Sequence, residues 1–293
     1  MFYRQQYIQR NFFKSLEHIS PVLLVLVRLI MVTKITYNVH ADRILICGNI
    51  FYKGVSKLKT IGLLGGMSWE SSSEYYRIIN QTVNRKLGGH HSAKSVMYSV
   101  DFEEIKKLQH SDRWDEATEL MIRGAQYIEK GGADFLVICT NTMHKMASDI
   151  QQHIGIPILH IADATAKKIK DQGINRVGLL GTKFTMEEDF YKGRLIVNHN
   201  LEVNIPSEKE RQIVHDIIYK ELCLGKINSG SKSAYQKIIN SLINDGIEGA
   251  ILGCTEISLL INQNDISIPI FDTTEIHAQT AVDWSLGISQ ENK

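Results

Sequence analysis

The sequence predicts an α/β protein with two similar domains, each a parallel sheet flanked by helices, and a cleft between the domains. Two observations support this prediction. From residue 60 onward, short apolar runs alternate with longer segments of helical periodicity, which is typical of parallel sheets covered by helices on both faces. In addition, landmarks of the first half recur in the second half in the same order. The chain is therefore predicted to be an internal duplication.

Three pairs of segments carry the duplication: a glycine-rich turn, an apolar strand and an Ile-Pro-Ile sequence. The paired segments are 62–66 with 178–182, 133–138 with 247–252, and 156–158 with 268–270. In each half a polar residue stands at the end of the apolar strand, Thr140 in the first half and Cys254 in the second. Because ligands of parallel sheets gather at the carboxyl ends of the strands, both residues are expected at the cleft.

The first half begins with a buried strand over residues 60–64, which ends at a pair of glycines. The predicted elements that follow are a helix over 71–86, a strand over 95–100, a helix over 114–130, and strands over 135–139 and 156–161. The pattern is clearest for the helix over 114–130, because its apolar residues recur at helical spacing and two glycines follow it.

The second half repeats this order. Its predicted elements are a strand over 176–180, a helix from about residue 186, helices over 212–224 and 234–244, and a strand over 250–252. A last helix begins near Thr274, and its apolar residues need a surface to cover, so we expect it to return to the first domain. The expected organisation is an extension over 1–58, a first domain over 59–160 joined by 272–293, and a second domain over 161–271.

The composition limits the possible functions. The chain has 293 residues, enough for two domains of ordinary size, and a formal net charge of +1. Without a basic patch, no nucleic-acid partner is expected. The four cysteines, Cys47, Cys139, Cys223 and Cys254, lie far apart and form no C-x-x-C motif. This usage is typical of a reducing compartment, and it predicts a cytoplasmic protein without a disulfide framework or a metal site.

Residues 1–58 differ from the rest of the chain. They are basic and contain an apolar run over residues 22–32, interrupted by Arg28. This run is too short to span a bilayer, which takes about 20 residues, so no membrane partner is expected. It could belong to a signal peptide cleaved near residues 39–41, or translation could start later. We expect residues 1–58 to be a disordered or non-native extension.

Four motifs occur in order at domain-like intervals. They are GLLGGMSWE over 62–70, CTNTMH over 139–144, GCTE over 253–256 and FDTTEIHA over 271–278. Together they resemble the aspartate/glutamate racemase family, which works without pyridoxal phosphate, and the resemblance runs from about residue 59 to residue 286. It implies a racemase of aspartate, glutamate or a related amino acid, with no cofactor, an active site in the cleft and a homodimeric assembly. No segment identifies a Schiff-base lysine or a phosphate cup.

Cys254 is the main catalytic candidate. It follows a buried strand and precedes an expected helix, whose N-terminal amides would favour a thiolate with a pKa of about 7, a suitable base for a Cα proton. The alternative is a buried structural cysteine. The resemblance implies the catalytic role.

Thr140 is the second catalytic candidate, at a position where most members of the resembled family have a cysteine. Here the cysteine is Cys139, and a step of one residue along a strand turns its side chain to the opposite face. Cys139 is therefore expected to pack into the sheet. A hydroxyl can deliver a proton but is a poor base, and the Thr/Cys branch of the family suggests unequal action on the two enantiomers.

Several polar residues are expected to bind the substrate, since strand-end amides and short polar side chains suit a carboxylate. The alternative for Asn141, Thr142, Thr255 and Glu256 is helix capping. The resemblance places Met67 and Ser68 of the glycine turn, and Gln109 of a helix, at the substrate. Thr182 and Thr185 are the counterparts of that glycine turn in the second half. The full set of substrate-binding candidates is Met67, Ser68, Gln109, Asn141, Thr142, Thr182, Thr185, Thr255 and Glu256.

Two histidines, His144 and His277, could tune a neighbouring proton donor, although a lone histidine is more often structural. Two rival functions stay open at this point. The first is a single-cysteine decarboxylase or cis–trans isomerase of the same fold family, and the second is a binding protein that has lost turnover. The preference for a substrate side chain is also open. Gln109 stands where the resembled family often has an arginine, and the loss of that guanidinium argues against a site built solely for carboxylates.

Overall fold

The computed structural model describes residues 45–46, 49–50 and 58–288. The chain divides into two units, Met1–Gly54 and Val55–Lys293. In the first unit, strands β1 (Leu45–Ile46) and β2 (Asn49–Ile50) form an antiparallel pair. From the sequence, residues 1–58 are expected to be a disordered or non-native extension. Apart from these two strands and residue 58, that segment lies outside the described residues. Among the described residues, no helix is both long enough and apolar enough to cross a membrane.

The first sheet of the larger unit has four parallel strands in the order β4-β3-β5-β6. Its strands are β3 (Ile61–Gly65), β4 (Ser95–Ser99), β5 (Phe135–Ile138) and β6 (Ile158–Leu159). The helices of this part are α1 (Trp69–Leu87), α2 (Phe102–His110), α3 (Trp114–Lys130), α4 (Ala147–Gln152) and α5 (Ile161–Lys170). The bounds of α3 are those that the sequence predicts.

The second sheet also has four parallel strands, in the order β10-β9-β7-β8. Its strands are β7 (Arg176–Gly181), β8 (Glu202–Asn204), β9 (Gly249–Gly253) and β10 (Ile270–Asp272). The helices of this part are α6 (Lys183–Glu187), α7 (Lys192–His199), α8 (Glu208–Lys220) and α9 (Ser229–Asn244). Two parallel sheets flanked by helices confirm the predicted fold class.

The duplication is visible in the strand register. Leu64 of β3 lies beside Ile138 of β5, and Leu180 of β7 lies beside Leu252 of β9. These are the central strand pairs of the two sheets. The carboxyl ends of β5 and β9 therefore occupy equivalent places, and the chain continues from them into the two polar motifs.

The C-terminal helix α10 (Thr273–Ser285) begins at Asp272, whose side chain accepts from the amides of Thr274 and Glu275. It packs against α1 and α5, and its buried residues Ala278, Ala281 and Val282 belong to the apolar cluster around the first sheet. The helix thus returns to the first half, as its apolar residues suggested. The domain boundaries at residues 160 and 271 stay a prediction.

The expected fourth strand is wrong beyond Leu159. Ile161 begins α5 instead, because the side chain of His160 accepts from the amide of Ala162 and caps the helix. The expected helix over 212–224 begins earlier, at Glu208, where Ser207 and Glu210 form a capping box. Among the predicted elements there is no counterpart to helices α2, α4 and α5 or to the three-residue strands β8 and β10.

Candidate active site

A cavity lies where the carboxyl ends of the two sheets face each other. It is open to solvent, and both polar and apolar side chains form its wall, as in small-molecule sites. Residues from both halves line it. They are Met67, Phe102, Gln109, Thr140, Asn141, Thr142, Met143, Thr182, Ile218, Tyr219, Cys223, Gly253, Cys254, Thr255 and Glu256.

Most of the predicted site residues are brought together here, including Thr140 and Cys254. Two are not at the cavity wall. Thr185 is fully buried and its hydroxyl pairs with that of Thr182, and Ser68 lies behind Glu256. Each of them is hydrogen-bonded to a residue of the cavity wall but is not part of the wall itself.

Cys254 stands directly after β9 and is half-buried. Its Sγ donates a hydrogen bond to Oε2 of Glu256 over 2.9 Å. The other carboxylate oxygen of Glu256, Oε1, accepts from the Ser68 hydroxyl over 3.1 Å. Since Ser68 belongs to the first half, this carboxylate ties the turn after β3 to the cysteine of the second half.

The pKa of the Cys254 thiol is raised well above its ordinary value, firstly by burial and secondly by the negative charge of Glu256. The expectation of a thiolate with a pKa near neutrality is therefore wrong. Its basis was a helix after the strand, but only a five-residue 3₁₀ turn, Thr255–Leu259, follows Cys254. One turn supplies little dipole, whereas a carboxylate at hydrogen-bond distance opposes a second negative charge.

Thr140 and Cys139 lie at the end of β5. Cys139 is 1% exposed and packs with the first sheet's core, so its predicted place in the sheet is confirmed. Burial raises the pKa of its thiol, and it is inert as a base. Thr140 instead lines the cavity, and its carbonyl oxygen accepts from Nδ1 of His144 over 2.7 Å.

His144 and His277, the two histidines considered as tuning groups, have structural roles. His144 also accepts from the amide of Ile161 through Nε2, which places its single proton on Nδ1. His277 pairs with the Tyr75 hydroxyl over 2.9 Å and with the carbonyl of Leu159 over 2.8 Å. Burial lowers the pKa of His144 well below its ordinary value and that of His277 to about 4. Both imidazoles are neutral and lie outside the cavity lining.

Short polar side chains connect the two halves across the cavity. The Thr142 hydroxyl pairs with that of Thr182 over 3.1 Å. The Ser71 hydroxyl likewise pairs with that of Thr255 over 2.8 Å. Asn141 donates through Nδ2 to the Thr273 hydroxyl, while its Oδ1 is buried without a hydrogen-bond partner. These contacts fix the side chains and leave at least one acceptor free for a ligand.

Five side chains at the cavity were missed from the sequence. Phe102 and Met143 come from the first half, and Ile218, Tyr219 and Cys223 come from α8 and the turn after it. The CTNTMH motif contains Met143 and could have signalled it. For the others, the sequence offers only ordinary helical periodicity, which does not tell a cavity-facing residue from a core residue. Among the described residues, no group of three or more His, Cys, Asp or Glu could hold a metal ion.

Residues 64–281 match the family model for Asp/Glu/hydantoin racemases. This chain belongs to that family. A broad-specificity amino-acid racemase of Bacillus subtilis is 26% identical over 229 residues, which cover 76% of this chain and 96% of the relative.

Solved structures agree with this assignment. A candidate Asp/Glu racemase from Yersinia pestis is 54% identical with a TM-score of 0.74, covering 78% of this chain and 99% of the other. An aspartate racemase homologue from Pyrococcus horikoshii is 34% identical with a TM-score of 0.69 and the same coverage. This chain thus shares its fold with both structures.

Proposed function

We propose that this protein is a cofactor-independent amino-acid racemase that moves a proton at Cα between Thr140 and Cys254. The observation that carries the proposal is the placement of these two residues. They stand at equivalent strand ends of the duplicated halves and line one cavity. Two groups on opposite sides of a bound carbon are what inversion requires. The family match and the racemase relatives support the same reaction class.

Cys254 is the group that removes a proton from Cα. Its thiol must first lose its own proton, and the Glu256 carboxylate at 2.9 Å is the acceptor within reach. The transfer leaves a thiolate beside a neutral carboxylic acid, and the positive charge of an incoming α-ammonium would stabilise that thiolate. Glu256 is therefore a positioning and proton-accepting residue for Cys254, rather than the ligand-binding residue that the sequence suggested.

Thr140 delivers a proton to the other face of Cα. The pKa of an aliphatic hydroxyl lies several units above that of a thiol, so Thr140 is almost never deprotonated near neutral pH and abstracts a proton poorly. After Thr140 donates its proton to Cα, its oxygen takes a proton from solvent water. The carbanion formed between these steps needs hydrogen-bond donors beside the α-carboxylate. The amides and hydroxyls after β5 and β9 supply them, and the free Oδ1 of Asn141 suits the α-ammonium.

The proposal also covers the cofactor, the cellular compartment, the assembly and the domain boundaries. The reaction needs no pyridoxal phosphate, because a thiol and a hydroxyl perform the proton transfers. The free cysteines of the described structure favour a reducing compartment, the cytoplasm. We also propose a homodimer, and domains bounded by residues 59–160 with 272–293 and by residues 161–271.

Exchange of the Cα hydrogen in deuterated water tests the proposal. Wild type should incorporate solvent deuterium into at least one amino acid, and Cys254→Ala should lose this activity by a factor of 10³ or more, on the order of what a lost general base costs. Cys223→Ala is the matched control, because it removes a thiol from the same cavity without removing the proposed base. Equal loss in both variants, or no loss in Cys254→Ala, would refute the assignment.

A further inference from the structure

The amide of Gln109 is an unused hydrogen-bonding group at the wall of the cavity. Gln109 lies on α2 and is 7% exposed. Its Oε1 is buried without a hydrogen-bond partner. Its Nε2 donates only to Sδ of Met143, over 3.0 Å, and a thioether is a weak acceptor. A buried amide that lacks partners is destabilising unless a ligand supplies them.

The charge of the cavity restricts what that ligand can be. Among the described residues that line it, Glu256 is the only charged side chain, and no lysine, arginine or histidine is present. An amino acid already brings an α-carboxylate. A second carboxylate would lie near Glu256 without the cation that normally pairs with it. Lys106 is outside the lining and half-buried on α2, with Glu103 within 3.9 Å of its ammonium.

We propose that the Gln109 amide hydrogen-bonds the substrate's side chain and that the site selects a neutral carboxamide, as in asparagine or glutamine. This inference rests on the proposed racemase function. A carboxamide has one acceptor and two donor hydrogens, so it pairs with the Gln109 amide in both directions. A carboxylate can only accept, and it would face the unpaired Oε1. The apolar surfaces of Phe102 and Met143 suit the methylene groups beside such a head.

The first test compares rates of Cα deuterium incorporation for the L-enantiomers of asparagine, glutamine, aspartate, glutamate and alanine. We expect kcat/KM for the better amide to exceed that for either acid by at least about tenfold, since a site built for a hydrogen-bonding head rejects a mismatched one. Alanine lacks the head group and reports on the proton-transfer groups alone. Wild type that prefers an acid to both amides would overturn the inference and leave the racemase proposal intact.

Variants at Gln109 give the second test. Gln109→Leu should lower kcat/KM for the amides about tenfold or more, mainly through KM, and should lower exchange of alanine much less than exchange of the amides. Gln109→Arg should shift the amide-to-acid ratio toward the acids. Lys106→Gln is the matched control on the same helix and should leave the ratio unchanged. If Lys106→Gln changes the ratio and Gln109→Arg does not, the selecting residue is Lys106.

Binding keeps the inference testable if no amino acid exchanges. Calorimetry on the Cys254→Ala variant would then compare L-asparagine and L-glutamine with the two acids. Tighter binding of an amide, lost in Gln109→Leu, would support the selectivity while the racemase proposal fails. Binding of the acids alone, or of neither class, would overturn the inference.

Discussion

Glu256 and Cys254 form a coupled pair at the residue scale. The carboxylate accepts the hydrogen bond of the thiol and, together with burial, holds the pKa of that thiol well above its ordinary value. The same carboxylate orients the sulfur toward the cavity and offers a place for its proton. One side chain therefore both suppresses the resting thiolate and prepares its formation when substrate arrives.

Replacing that carboxylate should separate the two effects. In Glu256→Gln the negative charge is gone, so the pKa of Cys254 should fall and its alkylation by iodoacetamide should begin at a lower pH. Exchange of the Cα hydrogen should nevertheless slow, because the proton acceptor is lost. Mass spectrometry of the alkylated peptides measures the first effect, with buried Cys139 as the internal control. An alkylation profile that stays in place would show that Glu256 does not set the thiol's pKa.

At the scale of single elements, α5 depends on a histidine cap. His160 is 7% exposed, its ring lies 4.6 Å from that of His144, and its side chain accepts from the amide of Ala162. Burial and the charge of Arg194 lower the pKa of His160 to about 3. Accepting that hydrogen bond requires a neutral imidazole, so a proton on His160 would break the cap.

The depressed pKa makes the stability of the fold sensitive to acid. An unfolded histidine titrates near 6.5, so the unfolded chain binds more protons than the folded one below that pH, and stability falls as pH drops from about 6.5 toward 3. His160→Asn keeps a good capping residue and removes the titration. Its thermal midpoint should fall less between pH 7 and pH 5 than that of wild type. Equal slopes in the two proteins would contradict this role of His160.

The sequence predicts some elements better than others, for physical reasons. Helix α3 was predicted with its observed bounds because buried apolar residues at helical spacing and two terminal glycines agree. Strand β10 has three residues and β6 has two, too few to show a period. The start of α5 was missed because its cap is a histidine, which is uncommon in that role.

The residues of the candidate site also differ in how well the sequence predicts them. The Thr140 and Cys254 positions could be found because the duplication and the motifs coincide there. Tyr219 and Cys223 could not, because they reach the cavity through the packing of α8 against the second sheet. The raised pKa of Cys254 likewise depends on a contact with Glu256 and on burial, neither of which a strand-end motif specifies.

At the scale of the whole molecule, the two halves meet around the cavity. Glu256 of the second half holds Ser68 of the first, and the Lys145 ammonium pairs with Glu188 over 2.6 Å and covers the Trp114 ring at 4.1 Å. Trp114 in turn packs edge-on against Phe184. These contacts set the distance between the strand ends, so the chemistry of one half depends on the position of the other.

The proposed mechanism predicts an asymmetry between the halves, because Cys254 can abstract a proton and Thr140 mainly donates one. The two enantiomers are equally stable in water, so kcat/KM for net racemisation must be equal in both directions. The asymmetry must therefore appear in kcat and in the wash-out of Cα deuterium from each enantiomer. The enantiomer whose Cα hydrogen faces Cys254 should lose its label much faster.

The most direct test is the ratio of deuterium wash-out from the two Cα-labelled enantiomers, in wild type and in Thr140→Cys. We expect a strongly unequal ratio in wild type. The variant places a second ionisable thiol opposite the first, so the slower enantiomer should gain most, because each pKa unit between the two bases corresponds to about 1.4 kcal/mol. A wild-type ratio near unity, or a ratio that Thr140→Cys leaves unchanged, would contradict the pairing of Thr140 with Cys254.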